Sequence, residues 1–281
     1  MRVQSNRASF HMRRLRIATA AVLTLALVVG ALLAAFRVYV VVLRNRAETL
    51  KHHALALTPG KSTLQDVRHF VQLYGHPNDY VDRCDTSECH VSTGICAFYF
   101  FGFTNCDLNI MVLRVFGIRP AHYVVGIDVV NGVVTRVAFD VSYRTTQGSW
   151  LSATTVVLDN FSGADRCSNP GLSRHPDYAV DSGTFDADSG GRYLQAGVTP
   201  HASADERRRA QTLNLACVTA LRDCGEPSDL MPLAYRDWVA DSEWQRIRQA
   251  DPTQEAACEA ARRSSLRQVP WWATGWRIKP L

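Results

Sequence analysis

Residues 122–143 read HYVVGIDVVNGVVTRVAFDVSY, two runs rich in β-branched and aromatic residues around the turn pair Asn131-Gly132. That pattern is a β-hairpin, and its register decides which side chains share a face. A two-residue loop would pair Val130 with Val133 and bring Asp128 onto the face of Val137 and Phe139. A three-residue loop, Val130-Asn131-Gly132, pairs Val129 with Val133, Ile127 with Thr135, Val125 with Val137 and Tyr123 with Phe139. The apolar faces agree in the second register, with Gly132 in the left-handed position of a bulge, so the sequence predicts the three-residue loop.

Outward from the hairpin, Ile95–Phe101, Leu108–Phe116 and Ser149–Leu158 have the same strand composition. Before them, Ser62 and Gln65 form a capping-box pattern at the start of a helix whose apolar face is Leu64, Val67, Val71 and Tyr74, with Gly75 and Pro77 at its end. After them, residues 159–202 are rich in Gly, Ser, Asp and Pro and read as an irregular linker or insertion, with short strands at Tyr178–Val180 and Arg192–Val198. A second capping box, Ser203 with Glu206, opens a helix with Ala210, Leu213, Cys217, Ala220 and Leu221 on one face. Helical segments follow at Leu233–Gln249 and Pro252–Leu266. The expected fold is α+β: residues 61–158 form a helix packed on an antiparallel sheet of four to five strands, and the helical region 203–281 packs on that domain.

At the other end, Ile17 to Leu43 is apolar apart from Arg37. Ile17–Phe36 alone is uncharged, and at about 1.5 Å rise per residue it covers about 30 Å, the hydrocarbon thickness of a bilayer. A cleaved signal peptide has a shorter apolar core of about 7–15 residues, and a core helix is seldom so uniformly apolar. The expectation is an uncleaved single-pass signal anchor over 17–43, with Arg37 snorkelling to the far interface, Tyr39 at headgroup depth and a connector over 44–60. Eight of the 31 basic residues lie before residue 47, no acid precedes Glu48, and the remainder carries 23 basic against 26 acidic residues. A body with that balance is not a nucleic-acid binder. Five arginines stand before the span, so the positive-inside rule predicts a cytoplasmic tail over 1–16 and an exported body, with the lipid bilayer as the partner of residues 17–43.

Eight cysteines, all on the presumed exported side, point to disulfides in an oxidising compartment. The local candidates are Cys84 with Cys89, Cys96 with Cys106, and Cys217 with Cys224. Cys84, Cys89, His90, Cys96 and Cys106 could alternatively hold a metal, but no C-x-x-C pair exists and the spacing matches no zinc ribbon. Pro59-Gly60-Lys61-Ser62-Thr63 imitates the end of a phosphate-binding loop without its first glycine, since Leu55 stands there. Neither G-x-S-x-G nor H-E-x-x-H occurs. Asp181, Asp186 and Asp188 fit no standard calcium loop and read as turn residues. Trp271, Trp272 and Trp276 either dock the C-terminus onto the sheet or form a partner surface.

The run Gly60-Lys61-Ser62-Thr63-Leu64-Gln65-Asp66-Val67 leading to Tyr74-Gly75-His76-Pro77, with antiparallel strands after it, resembles the small domain of the SmpA/OmlA outer-membrane assembly lipoproteins over about residues 57–143. The chain departs from that family in its first cysteine, Cys84, which is no lipobox, and in its longer C-terminal half. The C-terminal stretch Leu213-Asn214-Leu215-Ala216-Cys217 is similar to bacterial membrane-anchored proteins. The resemblance implies a scaffold or protein-binding role without catalysis or cofactor. The expected function is therefore a binding module on the bacterial cytoplasmic membrane, engaging an envelope protein or other envelope component. The alternative is an exported hydrolase or metal-dependent enzyme with its site around Cys84–Cys106.

Overall fold

Helix α1 runs from Val3 to Ala56 without a break. The computed structural model describes residues 3–74, 81–84, 87–96, 113–114, 116–161, 175–186 and 191–248. Along α1 the environment changes. Ile17 is 62 % exposed and Leu27 is 74 % exposed, whereas Val40, Leu43, Ala47, Leu50 and Ala54 are buried. Their spacing of three and four residues puts them on one helix face. Arg46, Glu48 and Thr49 occupy the exposed face. Residues 44–56 are thus not a connector. They form a core helix, because an apolar stripe runs through their charged sequence and the sheet needs a cover.

Among the described residues the sheet has seven strands, β1 (Val81–Cys84), β2 (Glu88–Cys96), β3 (Ala121–Val130), β4 (Val133–Arg144), β5 (Trp150–Leu158), β6 (Tyr178–Asp186) and β7 (Gly191–Val198), in the order β1-β2-β3-β4-β5-β7-β6. Every pairing is antiparallel except β5 with β7. The α+β class holds, with more strands than expected. Residues 159–202 carry β6 and β7: the expected strand Arg192–Val198 is β7, and the expected Tyr178–Val180 opens a β6 that runs on to Asp186, so the stretch is not an irregular linker. Their Gly, Ser and Asp residues mask an inward row of Tyr178, Val180, Leu194, Ala196 and Val198, all buried. Strand β7 enters between β5 and the edge strand β6, so it turns back on β6 and runs parallel to β5. Strand β2 was hidden for a similar reason. Its inward side chains include Cys89 and Thr93, and only Ile95 and Cys96 overlap the expected strand Ile95–Phe101. The expected strand Leu108–Phe116 ends instead in a helical turn at Leu113–Arg114 and a turn at Phe116, and its other residues lie outside the described ones.

The central hairpin corrects the expected register. Val130 pairs with Val133, so the loop is the two-residue Asn131-Gly132, with φ of 52° and 80°. Both residues adopt the positive φ of a tight hairpin turn. A bulge then shifts the register between Asp128 and Val129. Beyond it Ile127 meets Val137, Val125 meets Phe139 and Tyr123 meets Val141, all buried. The bulge removes the conflict that had argued against the short loop, because one extra residue in β4 flips the later side chains to the other face.

Helix α2 (Leu64–Tyr74) buries Val67 and Phe70. Its cap is Thr63, one residue later than expected: the Asp66 N–H donates to Thr63 Oγ1 and the Thr63 N–H to Asp66 Oδ2 at 2.7 Å. Ser62 Oγ accepts instead from the Thr58 N–H at 2.9 Å. Helix α3 (Ala204–Gln211) has the expected Ser203–Glu206 capping box but stops at Thr212. The predicted helical face is divided, since Leu213 and Leu215 turn into the core ahead of the short α4 (Ala216–Thr219). After α5 (Pro227–Leu230), α6 (Pro232–Arg248) matches the expected segment. The expected helix Pro252–Leu266, with Trp271, Trp272 and Trp276, lies outside the described residues.

Where α1 leaves its apolar segment, arginines bind the end of α4. Arg37 does not reach outward: its Nη1 donates to the Gly117 carbonyl at 3.0 Å and also to the Thr219 carbonyl. Arg44 donates to Thr219 Oγ1 at 3.2 Å. Arg119, only 2 % exposed, donates to the carbonyls of Val218 at 2.9 Å, Ala220 at 2.6 Å and Leu221 at 3.0 Å. Carbonyls at a helix end lack intrahelical partners, and a guanidinium offers five N–H donors to satisfy them. Gly117 has φ of 71°, and a Cβ there would stand 2.7 Å from the Thr219 oxygen, so the close approach needs glycine. The Cys217–Cys224 disulfide closes the same loop.

Leu50 is fully buried against the sheet. Leu50→Ala is expected to lower the unfolding free energy of the body by about 2–5 kcal/mol, because the void cannot close fully. Leu27→Ala, on the exposed part of the same helix, should leave it unchanged within about 0.5 kcal/mol. Denaturant titration of the detergent-solubilised chain checks both.

Candidate functional site

The described helices pack on one face of the sheet, against Tyr123, Ile127, Phe139, Leu151 and Leu194. Strand alternation sends a second, polar set to the opposite face. Registers align it in rows: His90–Asp128–Arg136, then Val124–Asp140–Thr154–Gln195, then His122–Ser142–Ser152–Tyr193. Between the first two lies Gly126–Ala138–Val156–Gly197, with Phe161 over Gly197. This face is the candidate site.

At one end Asp128 Oδ1 stands 2.5 Å from His90 Nδ1, and Oδ2 accepts from Arg136 at 3.3 Å. Burial pushes the Asp128 carboxyl up, but the His90 hydrogen bond and the Arg136 charge outweigh it and hold it below the usual carboxylate range. In the centre Asp140 Oδ1 accepts from Ser152 Oγ at 2.9 Å and Thr154 Oγ1 at 2.7 Å. Here burial outweighs both hydroxyl hydrogen bonds and raises the carboxyl. At the other end the Arg144 guanidinium lies 5.7 Å from the centre of the Trp150 ring, and His122 meets that ring edge-on at 6.0 Å. Tyr193 donates to Asp181 at 3.1 Å, and burial together with that carboxylate raises its phenol to about 12. The surface therefore offers carboxylate acceptors, a stacked guanidinium and hydroxyls whose protons are already committed to Asp140. Such a set suits hydrogen-bonded recognition of a polar partner.

A second depression of about 430 Å³ lies between the end of α1 and α2, with His53, Lys61, Asp66, His69 and Tyr74 at its rim over Leu57 and Phe70. The Tyr74 hydroxyl is hydrogen-bonded to the His53 ring.

Two of the expected cysteine pairs are disulfides: Cys84–Cys89 closes the β1–β2 turn, and Cys217–Cys224 lies at the α1 junction. Cys96 ends β2, and its expected partner Cys106 lies outside the described residues. The Cys84–Cys89 bond removes two thiols from the metal-ligand set, and His90 is engaged by Asp128. No group of three His, Cys, Asp or Glu side chains suited to a metal occurs among the described residues. Asp181 accepts from the Tyr193 hydroxyl and, like Asp186, lies in β6 and not in a turn, while Asp188 lies outside the described residues. Asp128, Arg136, Asp140, Ser152 and Thr154 were not expected as site residues. Their signal was the polar half of each alternating strand, but only register shows which of them meet. Comparison with protein-family models, curated proteins and solved structures finds no match for the chain.

Asp128→Asn should cost about 1–3 kcal/mol at neutral pH, because it discharges a half-buried carboxylate paired with His90 and Arg136. A lowered carboxyl contributes stability that is present above its unfolded pKa of about 3.9 and lost as pH falls through the lower folded value. The cost of Asp128→Asn should therefore shrink in acid. Asp140 has the opposite sign. Its raised pKa penalises the folded state at neutral pH, and acid relieves the penalty as pH falls through the folded value. Asp140→Asn should leave the protein as stable as the parent or more so at neutral pH, with the difference vanishing in acid. Urea midpoints of both variants across the acid range test these opposite trends.

Proposed function

We propose that this chain is a single-pass protein of the bacterial cytoplasmic membrane, with a cytoplasmic N-terminus and an extracytoplasmic body. The body is a binding or scaffold module for an envelope protein or other envelope component, not an enzyme. The apolar first half of α1 is long enough to cross a bilayer, and the excess of arginine before it supports the orientation. Two disulfides in the body fit an oxidising compartment.

The observation that carries the binding role is the continuity of α1 from its apolar segment into the core. A body mounted on a rigid helix holds its polar sheet face at a set height and angle above the membrane. Preorganisation of that kind lowers the entropy cost of docking a large partner. The resemblance of residues 57–143 to an assembly-lipoprotein domain agrees with such a role.

The test is crosslinking of the full chain in intact cells, followed by affinity capture. A stoichiometric partner is expected, and Trp150→Ala or Asp140→Arg on the polar face should weaken its binding about tenfold or more. Capture unchanged by both variants would move the site elsewhere. A measured turnover with no partner would overturn the binding role.

A further inference from the structure

We propose that the body is seated in the bilayer as well as tethered to it, with Phe116 and Leu221 inserted into lipid beside the end of the membrane helix. The proposal rests on the reading of α1 as a membrane anchor. Its geometry starts at Arg37, which closes the uncharged run that begins at Ile17. The two carbonyls bound by Arg37 belong to Gly117 and Thr219, so these two loops lie at the level where the apolar span ends. Phe116 immediately precedes Gly117, and Leu221 follows Thr219 by two residues.

Both side chains point outward. Outside α1, the large apolar residues left exposed among the described residues are Leu73, Phe116, Leu221 and Val239, at 64 %, 42 %, 67 % and 45 %. Two of these four therefore fall in the two loops that hold Arg37. On α1 itself Val38 and Val42 are 62 % and 49 % exposed, which continues the apolar rim from the helix towards the loops.

Depth supports the same assignment. Leu33 and Phe36 pack against the cluster of Val40, Leu43 and Ile118, together with Leu113. Leu33 precedes Arg37 by one turn, about 6 Å along the axis. If Ile17–Phe36 fills about 30 Å of hydrocarbon, Ile118 and Leu113, which share this cluster with Leu33 and Phe36, already lie at the edge of the apolar layer. An exposed phenylalanine beside them then has lipid as its solvent. Arg222, exposed and next to Leu221, stands where headgroup phosphates would meet it. The same contacts explain why Arg37 is held by carbonyls: a guanidinium at hydrocarbon depth needs protein acceptors.

A photoreactive benzophenone side chain placed at Phe116, Leu221, Leu27 or Val239 of the full chain tests the seat, in vesicles of phosphatidylcholine and phosphatidylglycerol. All four positions are exposed, so the substitutions spare the core. Lipid adducts are expected at 27, 116 and 221, and none at 239. Adducts at 27 without adducts at 116 and 221 would overturn the seat and leave the anchor standing. No adduct at 27 would overturn the anchor, and the seat with it. Crosslinks from 116 or 221 to a second copy of the chain would replace lipid by self-association and also overturn the proposal.

Discussion

One helix has to satisfy two surroundings, and the exchange takes place at Arg37. From Ile17 to Leu32 α1 exposes apolar side chains all round; C-terminal to Arg37 a single buried stripe packs first on Ile118, through Val40 and Leu43, and then on the sheet core, through Ala47, Leu50 and Ala54. A hinge at that point would let the body swing freely. Instead Arg37, Arg44 and Arg119 converge on the end of α4 and the adjacent loops. The carbonyls there lack helical partners, and the guanidinium groups, drawn away from water, need acceptors. Each side of the junction meets the requirement of the other. Gly117 and the Cys217–Cys224 disulfide hold the loops close enough for it.

The sheet divides its labour by face. Its inner face is covered by α1, α2 and the helices after β7, so its residues are apolar and largely buried. The outer face keeps polar residues in the same strands because alternation gives them no other place. Two carboxylates on that face behave oppositely. Asp128 has a histidine and an arginine within reach and is drawn down; Asp140, among the described residues, has the hydroxyls of Ser152 and Thr154 to set against burial and is pushed up.

Much of this was legible in the residues, and the limits had physical causes. The Ser203–Glu206 capping box appeared where expected, since it depends on atoms three residues apart. The cap of α2 moved from Ser62 to Thr63 because Asp66 competes with Gln65 as the reciprocal partner. Strand β7 appears at the expected Arg192–Val198, whereas β6 runs past the expected Tyr178–Val180 to Asp186 through glycine, serine and aspartate, which look like loop when the buried neighbour strand is unknown. The hairpin register was misjudged because a bulge can repair a mismatch that a regular ladder cannot. Asp128 drew notice only as an obstacle to register, whereas it proved to be the partner of His90 and Arg136.

By itself the sequence determined the long apolar helix, the α+β class and the polar and apolar halves of the hairpin, and it offered Cys84–Cys89 and Cys217–Cys224 among its candidate disulfides, which the structure pairs. These follow from periodicity and from contacts between near neighbours. Tertiary structure alone decided that residues 44–56 belong to the core, that β7 lies between β5 and β6, and that Asp140 meets Ser152 and Thr154. It alone directed Arg37 to carbonyls 80 and 182 residues away. The reason is range: a side chain's periodicity says which way it faces, but its partner across the fold depends on register and loop closure, which no local pattern encodes.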